Sequence, residues 1–82
     1  MAWEDRAGRI DHDSGELLWR QVADDLRAEI ESGGLRGKLP SEPELSEIYG
    51  VARVTVHRAV TELREEGLVT VTLGRGTFVA KK

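Results

Sequence analysis

The sequence predicts a small α+β domain of three helices followed by a two-stranded antiparallel hairpin, on three observations. Apolar residues recur at helical spacing in two separate segments, a helix-capping signal lies between them, and after Gly67 the apolar period shortens to two. A chain of 82 residues has room for one such domain, which buries roughly 60–65% of the surface its unfolded form exposes. There is no cysteine. Neither a disulfide framework nor a thiolate metal site is therefore available, and an apolar core has to hold the domain together.

Residues 1–15 are polar and rich in Asp, Arg and Gly, with neither helical nor strand periodicity. They offer too little apolar surface to offset the entropy of ordering and are expected to form a disordered tail. The domain proper is expected over residues 16–80, with residues 81–82 a solvated end. The first helix is predicted from Glu16 to Ser32, where Leu18, Val22, Leu26 and Ile30, joined by Trp19 and Ala23, form one stripe that stops at Gly33-Gly34. Its other face carries Asp24, Asp25, Arg27, Glu29 and Glu31, read as a solvated charge run.

Ser41 followed three residues later by Glu44 makes a capping box, and Pro43 is tolerated in a first turn whose N–H groups have no helical partner. The helix that starts there is short. Gly50 supplies the positive φ of a tight turn, and a third helix is predicted over Ala52 to Glu66 with Val56, Ala59, Val60 and Leu63 inward. Arg53, His57, Thr61 and Arg64 are left outward. Val69, Val71 and Leu73 then alternate with Thr70 and Thr72, Gly74-Arg75-Gly76 forms a basic tip, and Thr77-Phe78-Val79 returns.

A short capped helix, a glycine turn and a second helix with polar outward residues have the layout of a helix-turn-helix, whose second helix enters the major groove of DNA. The hairpin beside it makes a wing. Arg53 suits guanine O6 and N7, Val54 a thymine methyl, and Thr55 with the helix-end N–H groups a phosphate. His57, one turn after Arg53, suits a base or a phosphate, and Arg75 suits a backbone phosphate or a narrow minor groove. The plain alternative for each is a solvated surface residue.

Net charge is −3, which by itself opposes binding to a polyanion. The acid is concentrated in the first half. Residues 1–37 hold five basic and nine acidic residues, residues 38–82 seven and six, so electrostatic affinity is modest and dimerisation on DNA has to raise it. No apolar run approaches the ~20 residues that span a bilayer, and Met1-Ala2-Trp3-Glu4-Asp5 lacks the pattern of a signal peptide. A cytoplasmic protein without membrane partners is expected. His12, between Asp11 and Asp13, has no further His or Cys nearby to make a metal site. Gly74-Arg75-Gly76 lacks the third glycine and following helix of a phosphate-binding loop, and no paired catalytic groups lie on ordered elements. No cofactor, no metal and no enzymatic activity are expected. The competing function is a winged helix used as a protein–protein interaction module.

The run Leu39-Pro40-Ser41-Glu42-Pro43-Glu44-Leu45-Ser46-Glu47-Ile48-Tyr49-Gly50-Val51, with Arg53, Thr55-Val56, Arg58-Ala59, Leu63, Glu66-Gly67-Leu68-Val69 and Gly74-Arg75-Gly76-Thr77-Phe78-Val79, resembles the GntR-type winged helix. The resemblance covers residues 17–80. It implies a bacterial transcription regulator, most often a repressor, that binds a palindromic operator as a dimer. It also implies a small-molecule effector only where a further carboxy-terminal domain follows, and none lies within these residues. The family's DNA contacts carry over onto Arg53, Thr55, His57 and Gly74. With the reading above, the candidate DNA-binding residues are Ser41, Arg53, Val54, Thr55, His57, Arg58, Gly74, Arg75 and Gly76. The sequence departs from the family at Pro43, where a basic residue is common, at Ala52, where a Ser or Thr cap is usual, and in the short loop Leu35–Leu39. An Ala cap forfeits ~1 kcal/mol. With no long apolar stripe left once the helices and hairpin have buried theirs, the chain alone is expected to be largely monomeric off DNA.

Overall fold

A computed structural model describes residues 6–13 and 17–80. Their elements are a 3-10 turn at Ala7–Arg9, α1 (Leu18–Ser32), α2 (Glu42–Tyr49), α3 (Arg53–Glu65), β1 (Val69–Thr72) and β2 (Gly76–Val79). Three helices followed by an antiparallel pair is the winged-helix arrangement. The predicted start of α1 at Glu16 lies outside the described residues; within them the helix begins at Leu18.

α3 is the centre of the packing, in contact with α1, α2 and β1. Its inward residues Val56, Ala59, Val60 and Leu63 are buried, as their spacing predicts, against Val22, Ala23 and Leu26 of α1 and Leu45 and Tyr49 of α2. Leu18 and Ile30 pack at the margin of that core.

The short helix is set by its own ends. Ser41 Oγ accepts from the Glu44 N–H at 3.2 Å, and the Ser41 N–H donates to Glu44 Oε1 at 3.0 Å. These bonds, the backbone one first, hold the Glu44 carboxyl below the usual carboxylate range. At the other end Gly50 takes φ +66 and donates to the Ser46 carbonyl, and a Cβ there would stand 3.3 Å from Ala7 Cβ. Positive φ and a close neighbour both favour glycine at this corner.

That neighbour belongs to a segment expected to be a structureless tail, an expectation the structure corrects over residues 6–13; residues 1–5, 14 and 15 lie outside the description. Ile10 is 5% exposed and part of the core. The Arg6 N–H donates to the Ile48 carbonyl at 2.7 Å, and Gln21 holds Asp11 through both its backbone N–H and its carbonyl. His12 Nε2 donates to the Gly50 carbonyl at 3.1 Å. One large aliphatic side chain and several long-range bonds are what the local composition does not reveal.

The same contacts correct the reading of α1's charged face as merely solvated. Asp25 accepts from Arg6 Nε at 2.8 Å, Arg9 Nη1 at 3.0 Å and the Tyr49 hydroxyl at 2.6 Å. Burial, then the bond to Asp25, pushes the Tyr49 phenol well above its ordinary value. Arg6 also reaches Glu29, and Arg27 joins Asp24 to Glu66 at the end of α3.

In the hairpin, Val69 pairs with Val79 and Thr72 with Gly76. The strand period is as predicted, but the alternating residues Val69, Val71 and Leu73 do not share one buried face. Val69 lies against the core, whereas Val71 is 47% and Leu73 96% exposed. The ribbon has two strands and runs out past the helices, so nothing stands opposite its outer half. Its inner end gains a third partner from the loop before α2: Leu39 N–H donates to the Thr77 carbonyl, Val79 N–H to the Gly37 carbonyl, and Lys38 bridges to Phe78.

Candidate nucleic-acid interface

α3 begins at the corner made by Gly50, with Ala52 as its cap. Ala52 has no side-chain oxygen to offer, so no side chain takes the first free N–H groups. The positive end of the helix dipole is therefore open at an exposed surface. Arg53 stands in this first turn, exposed and with no ion pair among the described residues. Val54 beside it is 77% exposed, an apolar side chain that the core does not use. Thr55 is half-buried, with its N–H bonded to the Ala52 carbonyl.

Two other expected contacts are differently placed. Arg58 turns back onto α1, its guanidinium 4.6 Å from the Trp19 ring centroid and its Nε 3.8 Å from Glu62. A guanidinium over an indole face is an attractive pair, so Arg58 lies on the flank of α3 that faces α1, away from Arg53. Ser41 is occupied in capping α2. Its hydroxyl accepts from the Glu44 N–H and keeps its own proton and one lone pair.

His57 remains on the exposed face with a partner that sequence spacing does not suggest. Its Nδ1 lies 3.1 Å from Glu42 Oε2 across the helix junction. A second feature missed from sequence is the loop residue Lys38, whose Cε would lie 2.9 Å from a Cβ at Gly76. Its side chain therefore runs from the strand pairing at Phe78 toward the wing tip at Gly76. Such cross-chain neighbours leave no local periodicity.

At the wing tip the Arg75 N–H donates to the Thr72 carbonyl at 3.0 Å, and Gly74 and Gly76 take φ +79 and +116. These two glycines let the ribbon reverse over three residues while lifting Arg75 into solvent without a partner among the described residues. Leu73 next to it is fully presented as well. Arg53, Val54 and His57 on the helix and Arg75 on the wing are thus each exposed to solvent. Four acidic residues, Asp24, Asp25, Glu29 and Glu66, are engaged by Arg6, Arg9 and Arg27 on the α1 side. Among the described residues no group of three or more His, Asp or Glu is placed to hold a metal ion, and no helix is long and apolar enough to cross a membrane.

Known proteins share this arrangement. Residues 18–79 match the profile of bacterial regulatory proteins of the gntR family. The chain is 41% identical over 75 residues to the HTH-type transcriptional regulator RB1450 of Rhizobium meliloti, covering 89% of this chain and 31% of that protein. It is 41% identical over 66 residues to the transcriptional repressor NagR of Bacillus subtilis, covering 78% and 27%. The chain thus spans about a third or less of the length of these relatives. Among solved structures, YtrA of Sulfolobus acidocaldarius, a GntR-family transcription factor, superposes with a TM-score of 0.80 at 35% identity, over 89% of this chain and 79% of that one. The AraR DNA-binding domain in complex with operator ORX1 superposes with a TM-score of 0.71 at 38% identity, over 76% and 77%. With its helix-turn-helix, its wing and its profile match all in register, the chain belongs to the gntR family of bacterial regulatory proteins.

Proposed function

We propose that this domain binds a double-stranded operator as the DNA-reading part of a cytoplasmic transcription regulator, acting as a repressor rather than an enzyme. α3 lies in the major groove and the wing on the backbone or in the minor groove. The observation that carries the reading is the open first turn of α3, where an unpaired Arg53 and an exposed Val54 stand with no role in the core. The likeness to the operator-bound AraR domain supports the same orientation.

The operator is palindromic and takes two copies, one per half-site, while the chain alone is monomeric. Among the described residues only four large apolar side chains, Leu17, Val54, Val71 and Leu73, are exposed, whereas a stable interface takes about 20–30 residues from each partner. Sedimentation of the free chain at tens of micromolar is expected to give a single species of one-chain mass; a stable dimer would contradict this. Control by a small-molecule effector would require a further carboxy-terminal domain.

The test is selection of duplexes from a randomised DNA pool, followed by a salt titration of the selected duplex. With about six phosphates neutralised by two copies, affinity falls on the order of a thousandfold between roughly 50 and 200 mM salt. Failure to enrich any sequence, with salt-insensitive binding to protein instead, would favour a protein–protein module. Arg75→Ala should leave stability within about 0.5 kcal/mol. It should also weaken every duplex alike and reduce the salt slope by about one if Arg75 meets phosphate. A larger loss on A·T-rich flanks would place it in the minor groove.

A further inference from the structure

Glu42 stands in the first turn of α2, and its carboxylate lies against His57 of α3, with Nδ1 at 3.1 Å from Oε2 and 3.3 Å from Oε1. Carboxylate oxygens accept and do not donate, so the shared proton is on Nδ1. The ring's other nitrogen, Nε2, is on the opposite edge of a side chain that is 70% exposed and has no other partner among the described residues. The placement of an acid is itself informative. A bare carboxylate on a surface that meets DNA opposes binding, whereas one that holds an imidazole has a compensating use.

We propose, on the DNA-binding reading above, that Glu42 is a positioning residue that fixes His57 as its Nδ1–H tautomer and so makes Nε2 a specificity determinant. In the neutral ring Nε2 accepts a hydrogen bond from the amino group of cytosine or adenine. Once the ring is protonated the same atom donates, and guanine O6 or N7 becomes the matching partner. No other exposed side chain at this end of α3 can change from acceptor to donor, since Arg53 only donates and Val54 does neither. The charged side chain in contact with the ring is Glu42 of α2. Among the described residues, α1 and the hairpin bring no charged side chain into bonding distance of the ring.

His12 provides an internal comparison, as the other histidine in the chain. It donates through Nε2 to the Gly50 carbonyl and is therefore the opposite tautomer. Nitrogen NMR of both rings in the free 82-residue chain at about pH 8.5, above the range where imidazoles titrate, should find the proton on Nδ1 in His57 and on Nε2 in His12. Glu42→Gln keeps an acceptor and should keep the His57 tautomer, while Glu42→Ala should release the ring to exchange between tautomers. A helix-end role alone would leave the His57 signals of Glu42→Ala unchanged, which would overturn the proposal.

The second readout uses the duplex selected by the wild-type chain, with each base pair in turn at the position where His57→Ala changes preference. At about pH 8.5 wild type and Glu42→Gln should prefer cytosine or adenine there by roughly fivefold, a preference Glu42→Ala loses. Base preference unaltered in Glu42→Ala would overturn the role assigned to Nε2. If wild type selects no duplex at all, the DNA-binding reading fails and the specificity role with it, whatever the ring spectra show.

Discussion

Arg53→Ala should weaken binding to the selected operator by ~1–3 kcal/mol, roughly five- to 150-fold, and relax the base preference at one position of each half-site. The magnitude follows from a forked guanidinium matching the two acceptors of guanine, an arrangement a helix-end Arg can reach without disturbing the core. Arg53 has no folding partner among the described residues, so the melting temperature of the variant should stay close to wild type. Titration against single-base operator variants checks the claim. An equal loss on every sequence would show that Arg53 meets phosphate instead of base.

Asp25→Ala should have the largest effect on stability, about 2–4 kcal/mol, because it removes the acceptor that a part-buried guanidinium and a buried phenol share. The side chains of Asp25 and Arg6 are only 11% and 14% exposed, and Tyr49 is fully buried. Arg9, 57% exposed, adds little. For a domain of this size the loss lowers the melting temperature by roughly 10 °C or more. An unchanged thermal transition would mean that the amino-terminal segment does not pack as described.

The same carboxylate sets the acid limit of the fold. Burial raises the Asp25 carboxyl, but the bonds from Arg6 and Tyr49, the Arg6 charge and the Arg9 bond outweigh it and leave the value below the usual range. A depressed folded value means stability that is complete above the unfolded value, about 3.9, and lost as pH falls through the folded one. Glu66, lowered by its bond from Arg27, acts in the same direction. Wild type should lose stability steeply below about pH 4, and Asp25→Asn should flatten that limb.

Some of this was readable from short stretches of chain. The capping box at Ser41 and Glu44, the corner at Gly50 and the buried row from Val56 to Leu63 are as expected, because each is a relation between residues three or four apart. The hairpin and its glycine tip were legible for the same reason. The exposure of Val71 and Leu73 was not legible, since alternation reports the strand and not whether anything covers it. Arg58 shows the matching limit within a helix. Its spacing allows an outward position, but Trp19 on another helix draws it aside.

Residue order within a few positions is thus enough to set the helices, their ends, the wing and the exposed first turn of α3, since those depend on backbone preference and local hydrogen bonds. The folding of the amino-terminal segment onto α1 and α2, the strand pairing at Lys38 and the hold of Glu42 on His57 join residues 10 to 42 positions apart. Such pairs exist only once the helices have packed and brought distant side chains within reach. No local pattern encodes them, because their energy comes from burial and proximity that the unfolded chain does not have.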